Sequence, residues 1–375
     1  MPPSDPGSKN VIEFRDVGKR FADGTVGLEE LSLTAREGEI TVLVGPSGCG
    51  KTTSLRTVNR MVEPTSGSVH LDGRDVADVD PPELRRGIGY VIQQAGLFPH
   101  RRVIDNVATV PVLQGLSRQE AKKRAAEVLE RVGLSALAQR WPAQLSGGQQ
   151  QRVGVARALA GDAPVLLMDE PFSAVDPVVR VELQDELLRL QAELGKTILF
   201  VTHDIDEAIR LGDRVAVLRV GGRLAQFAPP DELLAAPVDE FVSGFVGRDR
   251  GYRRLGFVSA TALRLVDLPT RADANGDSPD SPDRAVPGEW TVLLDGTERP
   301  SAWLGPDGAR HDLGSLYVTD GADAASDAAG TLRGALDAAL SSPAGRGVAV
   351  DGGGRYRGGV EPDDVLALLD RGTTR

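Results

Sequence analysis

Lysine is nearly missing from this chain of 375 residues. Of 43 basic residues only six are lysine: Lys9, Lys19, Lys51, Lys122, Lys123 and Lys196. Arginine supplies the rest, and the abundance of Ala, Gly and Asp fits a GC-rich coding bias. The few lysines that remain therefore draw attention. Cysteine is down to one, Cys49, which excludes an intramolecular disulfide and fits a reducing compartment. That cysteine and four histidines leave little from which to build a zinc site. Positive charge is also short. Against 54 acidic residues the net charge is −11, so the basic face that a general nucleic-acid binder needs is not expected. No uncharged apolar run approaches the ~18 residues of a membrane span. The first ten residues carry no apolar stretch and predict no signal peptide. These absences predict a soluble, cytoplasmic protein whose membrane role, if it has one, comes through a partner.

What is present suits a globular protein: 41% of residues are hydrophobic and 26% charged. The length suggests two or three domains at roughly 150 residues each. Residues 1–9 read as a disordered tail. Residues 10–248 alternate short strands and helices, which implies an α/β core with a largely parallel sheet. Strands are expected at 11–14, 38–44, 69–71, 89–92, 165–168, 197–201 and 215–219, and helices at 51–61, 117–132, 147–160, 181–194 and 205–211. Residues 270–288 are rich in Pro, Asp, Ser and Gly and cannot bury themselves; residues 320–330 are similar. A second, smaller domain is expected over 255–375, with the insert at 270–288. Acidity is shared, since residues 250–375 carry −5.

Chemistry is concentrated in the first part. Gly45, Pro46, Ser47, Gly48, Cys49, Gly50, Lys51, Thr52 and Thr53 form a P-loop between a buried strand and a helix. Its glycines let backbone N–H groups turn around phosphates, and the helix N-terminus favours anions. Lys51 can reach the β- and γ-phosphates, and Thr52 can ligate Mg2+. One of the six lysines thus stands where this loop needs it. Further on, the apolar run 165–168 ends in Asp169 and Glu170. Asp169 suits Mg2+, through water, and Glu170 suits an attacking water. The alternative is a helix-capping pair, since Pro171 follows.

The run Leu145-Ser146-Gly147-Gly148-Gln149 is the signature that marks the resemblance. The chain resembles the ATP-binding subunit of an ABC transporter. Gln93, before Leu97-Phe98-Pro99-His100, matches the family's Q-loop, with Gln94 a competing assignment. The stretch 173–176, ending in Asp176, resembles the D-loop. Thr202-His203-Asp204 resembles the switch-histidine loop, and Phe21 matches the aromatic that stacks on adenine. The resemblance covers residues 11–247. It implies a P-loop NTPase cassette with a helical subdomain, hydrolysing ATP with Mg2+ held by Thr52, Gln93 and Asp169. Lys51, Gln93, Glu170 and His203 are its expected catalytic residues; for His203 the alternative is a satisfied core histidine. Ser146, Gly147, Gly148 and Gln149 would meet the ATP of the opposite subunit. A homodimer or paired ATPase subunit is therefore implied, together with integral membrane permease subunits and, indirectly, an extracytoplasmic solute-binding protein. No nucleic-acid partner is expected. The enzyme would sit peripherally on the inner face of the cell membrane, and the segment from Gln93 to about Leu116 would touch the permease.

Residues 59–67, 84–100 and 105–108, above all Gln93-Gln94-Ala95-Gly96-Leu97, resemble the importers of quaternary amines such as glycine betaine, choline and carnitine. An importer of another solute such as an amino acid, an exporter subunit and a non-transport ABC ATPase are the alternatives. Residues 331–369 resemble the second half of a CBS module, and 257–304 a weaker first one, so the C-terminal domain is expected to be a degenerate, α+β, CBS-like regulator. Glu361 stands where nucleotide-binding modules carry Thr, which argues against adenine-nucleotide binding there. Arg346, Arg355 and Arg357 on adjacent predicted strands suggest sensing of ionic strength, with an ordinary solvated face as the alternative.

Overall fold

A computed structural model describes residues 10–93, 95–173, 175–247, 249–273, 288–319 and 330–372. The expected tail 1–9, the competing Gln94, Ala174 of the D-loop, and most of the expected inserts at 270–288 and 320–330 lie outside the described residues. The chain divides into two compact units at Val246/Gly247.

In the first unit β1 (Asn10–Arg20) and β2 (Val26–Arg36) pair antiparallel, and β3 (Ile40–Val44) leads through the P-loop into α1 (Lys51–Val58). β4 (Ser66–Leu71) and β5 (Arg74–Asp75) extend the first sheet, in the order β2-β1-β4-β5. α2 (Pro81–Arg86) precedes β6 (Ile88–Val91). A helical insertion follows: α3 (Val103–Val107), α4 (Thr109–Leu113) and α5 (Arg118–Arg131) pack on one another and on α6 (Gly147–Ala160). Then come β7 (Val165–Asp169), α7 (Pro177–Leu194), β8 (Thr197–Thr202), α8 (Ile205–Leu211), β9 (Arg214–Arg219), β10 (Arg223–Ala228), α9 (Pro230–Ala235) and α10 (Glu240–Val246). The second sheet runs β10-β9-β3-β8-β7-β6, parallel except at the β10 edge.

Strands buried on both faces read as continuous apolar runs. Val165, Leu167, Leu199 and Val201 face the core shared with the antiparallel sheet and α1. Leu166, Met168, Ile198 and Phe200 face the core built with the helices. The P-loop, Gln93, Glu170 and His203 all follow carboxyl ends of parallel strands, where open α/β sheets place their ligands.

Several expectations shift. The first strand runs to Arg20 rather than ending at 14, because bulges between Phe14 and Lys19 interrupt its alternation without ending the pairing. The first helix stops at Val58, where Asn59 caps it and Arg60 turns to φ 52°, rather than at 61. α7 begins at Pro177 and not at 181: Asp176 caps it, its side chain accepting from the Val178 N–H, with Pro at the first helical position. β2 and β10 are absent from the sequence reading.

The second unit has its own cores. α11 (Arg250–Arg254) opens it. β11 (Thr270–Ala272), β12 (Thr291–Leu294), β13 (Pro300–Leu304) and β14 (Arg310–His311) form one sheet in that order. β15 (Leu316–Val318), α12 (Leu332–Ser341), β16 (Gly347–Val350), β17 (Tyr356–Val360) and α13 (Pro362–Gly372) follow. β15 and β16 are parallel, joined through α12, and β17 returns antiparallel. Ala349 packs with the helices while its neighbour Val348 packs with Trp303 of the other sheet. After β13 the chain turns into β14 as a hairpin. Among the described residues no helix is long and apolar enough to cross a membrane.

Candidate functional site

The loop from Gly45 to Thr53 is shaped by close backbone approach. A Cβ on Gly45 would lie 2.4 Å from the Leu218 carbonyl oxygen. Gly50, at φ 96°, caps α1 in the left-handed region, and a Cβ there would lie 2.2 Å from the Gly27 carbonyl oxygen. Lys51 is buried, and its Nζ donates to the carbonyls of Gly45 at 2.8 Å and Pro46 at 3.1 Å. Cys49 is buried beneath it, and burial pushes the thiol up, so this cysteine is an inert packing residue. The Phe21 ring, more than a third exposed, and the Thr53 methyl group both border Gly27, which puts the aromatic beside the end of the loop.

Thr52 Oγ1 donates to Asp169 Oδ1 at 2.8 Å. Burial pushes the Asp169 carboxyl up, opposed by that hydrogen bond and by the charges of Arg56 and Lys51. Hydroxyl, carboxylate and the Gln93 amide are hard oxygen donors of the kind Mg2+ takes. Among the described residues no cluster of three or more His, Cys, Asp or Glu side chains could hold a metal alone. An ion at Thr52 and Asp169 would therefore draw further ligands from phosphate oxygens or water.

Glu170 gathers the remaining residues. It adopts φ 46°, a left-handed angle unusual outside glycine, and its N–H donates to Val201 O at 2.9 Å. Its Oε2 lies 3.1 Å from His203 Nδ1 and accepts from Gln93 Nε2 at 3.4 Å. The pair Asp169-Glu170 ends a strand and caps no helix; that task falls to Asp176, six residues on. The His203 side chain is 57% exposed, which sets aside a buried core histidine.

The signature segment stands apart from these contacts. Ser146 caps α6 in a reciprocal box: its Oγ accepts from the Gln149 N–H at 3.3 Å, and Gln149 Oε1 from the Ser146 N–H at 3.0 Å. Gly147 and Gly148 begin the helix. Among the described residues, Ser146 and Gln149 make no hydrogen bond to the P-loop of the same chain.

Three polar residues escaped the sequence reading. Asn106, fully buried, donates to the carbonyls of Phe98, Arg101 and Arg102 and accepts from the Phe98 N–H at 2.7 Å, so it pins the turn after Gln93. Arg157 donates to Gly96 O at 2.7 Å and Ala95 O at 2.8 Å. Arg180 reaches both the loop after Glu170 and Asp204. A polar side chain among small helical residues, as Arg157 is within Gly154–Ala160, was the available signal.

Comparison with known proteins decides the family. The family model described as ABC transporter matches residues 28–173. The osmoprotectant import ATP-binding protein OsmV of Salmonella typhimurium is 42% identical over 97% of this chain and 98% of its own length. The chain belongs to the ABC transporter ATP-binding family. This ABC ATPase is also 47% identical to the choline transport ATP-binding protein OpuBA of Bacillus subtilis, over 64% of this chain and 63% of that protein. Among solved structures, the dimeric ATP-binding cassette MJ0796 bound to ADP and Pi covers 58% of this ABC ATPase and 98% of its own chain. Its TM-score is 0.54 at 35% identity.

Proposed function

We propose that this ABC ATPase powers import of a quaternary-amine osmoprotectant such as glycine betaine, choline or carnitine. The full-length likeness to OsmV carries the reading. The P-loop amides and Lys51 bind the phosphates of ATP, and Phe21 stacks on its adenine. Glu170 orients the attacking water and takes up its proton as the new oxygen–phosphorus bond forms and the bond to the ADP oxygen breaks. Gln93 holds Glu170, and His203 contacts the γ-phosphate. Thr52, Gln93 and Asp169 would hold Mg2+, which would neutralise charge on the phosphates. Ser146, Gly147, Gly148 and Gln149 serve the ATP of a second cassette, with Asp176 between the two. The partners are permease subunits at the inner face of the membrane and, through them, an extracytoplasmic binding protein.

The second unit is a regulator built as a degenerate CBS pair. In it Arg346 Nε lies 2.8 Å from Glu361 Oε1, and an Arg357 terminal nitrogen lies 2.8 Å from Asp351 Oδ2. Two of the three arginines suggested as a salt sensor are thus already ion-paired. Neutralising Arg346, Arg355 and Arg357 together and finding an unchanged salt dependence of uptake overturns that role.

The deciding experiment is uptake of labelled glycine betaine, choline, carnitine and an amino acid into vesicles holding the cognate permease and binding protein. ATP-dependent uptake of an amine is expected. Glu170→Gln keeps ATP binding and abolishes uptake and hydrolysis, and Lys51→Ala weakens ATP binding. Uptake of the amino acid alone, or wild-type turnover in Glu170→Gln, refutes the corresponding part.

A further inference from the structure

Asp176, in the loop after Glu170, and His203, after β8, lie 27 positions apart in sequence, yet one side chain joins their segments. Arg180, in the first turn of α7, donates from Nη2 to Val175 O at 3.3 Å, and its Nη1 lies 3.6 Å from Asp204 Oδ2. Asp204 adjoins His203. Its other oxygen, Oδ1, caps α8 by accepting from the Asp206 N–H at 2.9 Å. On the opposite side Ser173 is tied to Glu170, whose carbonyl oxygen accepts from the Ser173 N–H at 3.3 Å and from Ser173 Oγ at 3.0 Å. With the 3.1 Å contact between His203 and Glu170, these links close a ring. The ring borders an open cleft, which Glu207 also lines. Glu170, Asp204 and Glu207 bring three carboxylates to that cleft, and Arg180 is the one guanidinium among its lining residues.

We propose that Arg180 is a positioning residue for ATP hydrolysis, fixing Val175 and the start of α7 against the His203 segment so that Glu170 and His203 keep their mutual geometry. This rests on the reading of Glu170 and His203 as the hydrolytic pair. A guanidinium suits the task because its planar fork serves two acceptors at once, where an ammonium offers a point charge. The contribution is to geometry rather than stability. The Arg180 and Asp204 side chains are about a third exposed, and such pairs add little to folding. One turn further along α7, Gln184 Nε2 donates to Glu207 Oε1 at 3.0 Å. That buried bond holds α7 to α8 independently, so loss of Arg180 frees the loop and leaves the helices docked.

The test is ATP turnover by the purified full chain, measured against ATP concentration. The variants are Arg180→Met, Arg180→Lys, Asp204→Asn, the Arg180→Met/Asp204→Asn double and Glu170→Gln. Arg180→Met keeps the apolar stem, and Asp204→Asn keeps the helix cap because asparagine caps as well as aspartate. Arg180→Met should lower kcat about ten- to a hundredfold, the upper end being the cost of a reacting group misplaced by about 1 Å. KM for ATP should stay within about twofold, the mark of an interaction used in turnover rather than in binding. The melting midpoint should not move. Arg180→Lys recovers part of kcat by keeping the charge on Asp204. Asp204→Asn resembles Arg180→Met, and the double variant is no worse than either, as for two ends of one link.

Wild-type kcat in Arg180→Met overturns the proposal. So do single losses that multiply in the double variant, or a defect confined to KM or to melting. Glu170→Gln keeps the two failures apart. If it turns over normally, the hydrolytic reading falls; if it is inactive while Arg180→Met is normal, only the role of Arg180 falls. Should Arg180→Met not fold, Asp204→Asn decides alone, and wild-type kcat there overturns the proposal.

Discussion

Glu170 and Glu207 show how the same side chain is put to opposite uses beside one cleft. Glu170 is held in a strained backbone angle with His203 and Gln93 on one carboxylate oxygen. Glu207 is buried, and burial pushes its carboxyl above the ordinary value of 4.5. Asp204 adds to the push, while hydrogen bonds from Thr202 and Gln184 and the Arg180 charge oppose it. Above pH 4.5 the unfolded chain has released a proton that the folded chain still holds. The stability from this group is therefore full below that pH and falls as pH rises through the raised folded value. Glu207→Gln cannot ionise and keeps an acceptor for Gln184. Denaturant melts from pH 4.5 to neutrality should show the variant gaining on the wild type as pH rises; a constant difference would refute this. Lys51, Thr52, Asp169, Glu170, Gln93 and His203 were legible because each sits at a fixed offset inside a local motif. Asn106, Arg157 and Arg180 were not, because their partners, backbone groups and for Arg180 also the Asp204 carboxylate, come within reach only once the loops have folded.

At the scale of elements, the strand–loop–helix around Lys51 shows what a single backbone atom enforces. At Gly50 the chain needs both a left-handed angle and room against Gly27 O. Gly50→Ala should cost at least ~1–3 kcal/mol from the backbone angle alone, with β2 forced to move. Denaturant melts measure the first effect, and a nucleotide titration the loss of phosphate binding that accompanies it. The expected start of α7 at 181 fell a turn late, although Asp176-Pro177, a cap followed by proline at the first helical position, carried the signal. The length of β1 and the presence of β2 were harder to read, because bulges reset the alternation of inward and outward residues.

For the molecule as a whole, the cores divide as the chain does. The two hydrophobic clusters of the first unit contain no residue beyond Val246, and those of the second begin at Leu255. A chain ending at Val246 should therefore fold and hydrolyse ATP within about threefold of the full chain, as a unit with its own core does. Circular dichroism and ATP turnover check this. If the second unit is the regulator proposed above, the same truncation removes the salt dependence of uptake.

The sequence by itself determined the family's motifs: the glycine-rich loop ending in one of six lysines, the paired carboxylates at a strand end, the histidine after the next strand. Those are short-range patterns, and short-range patterns survive in one dimension. Only the tertiary structure decided which of these residues meet. It placed Glu170 between His203 and Gln93, laid Thr52 on Asp169, and paired Arg346 with Glu361 and Arg357 with Asp351, two of the three arginines of the expected basic cluster. Such contacts join residues from different strands and helices, and packing sets them rather than spacing.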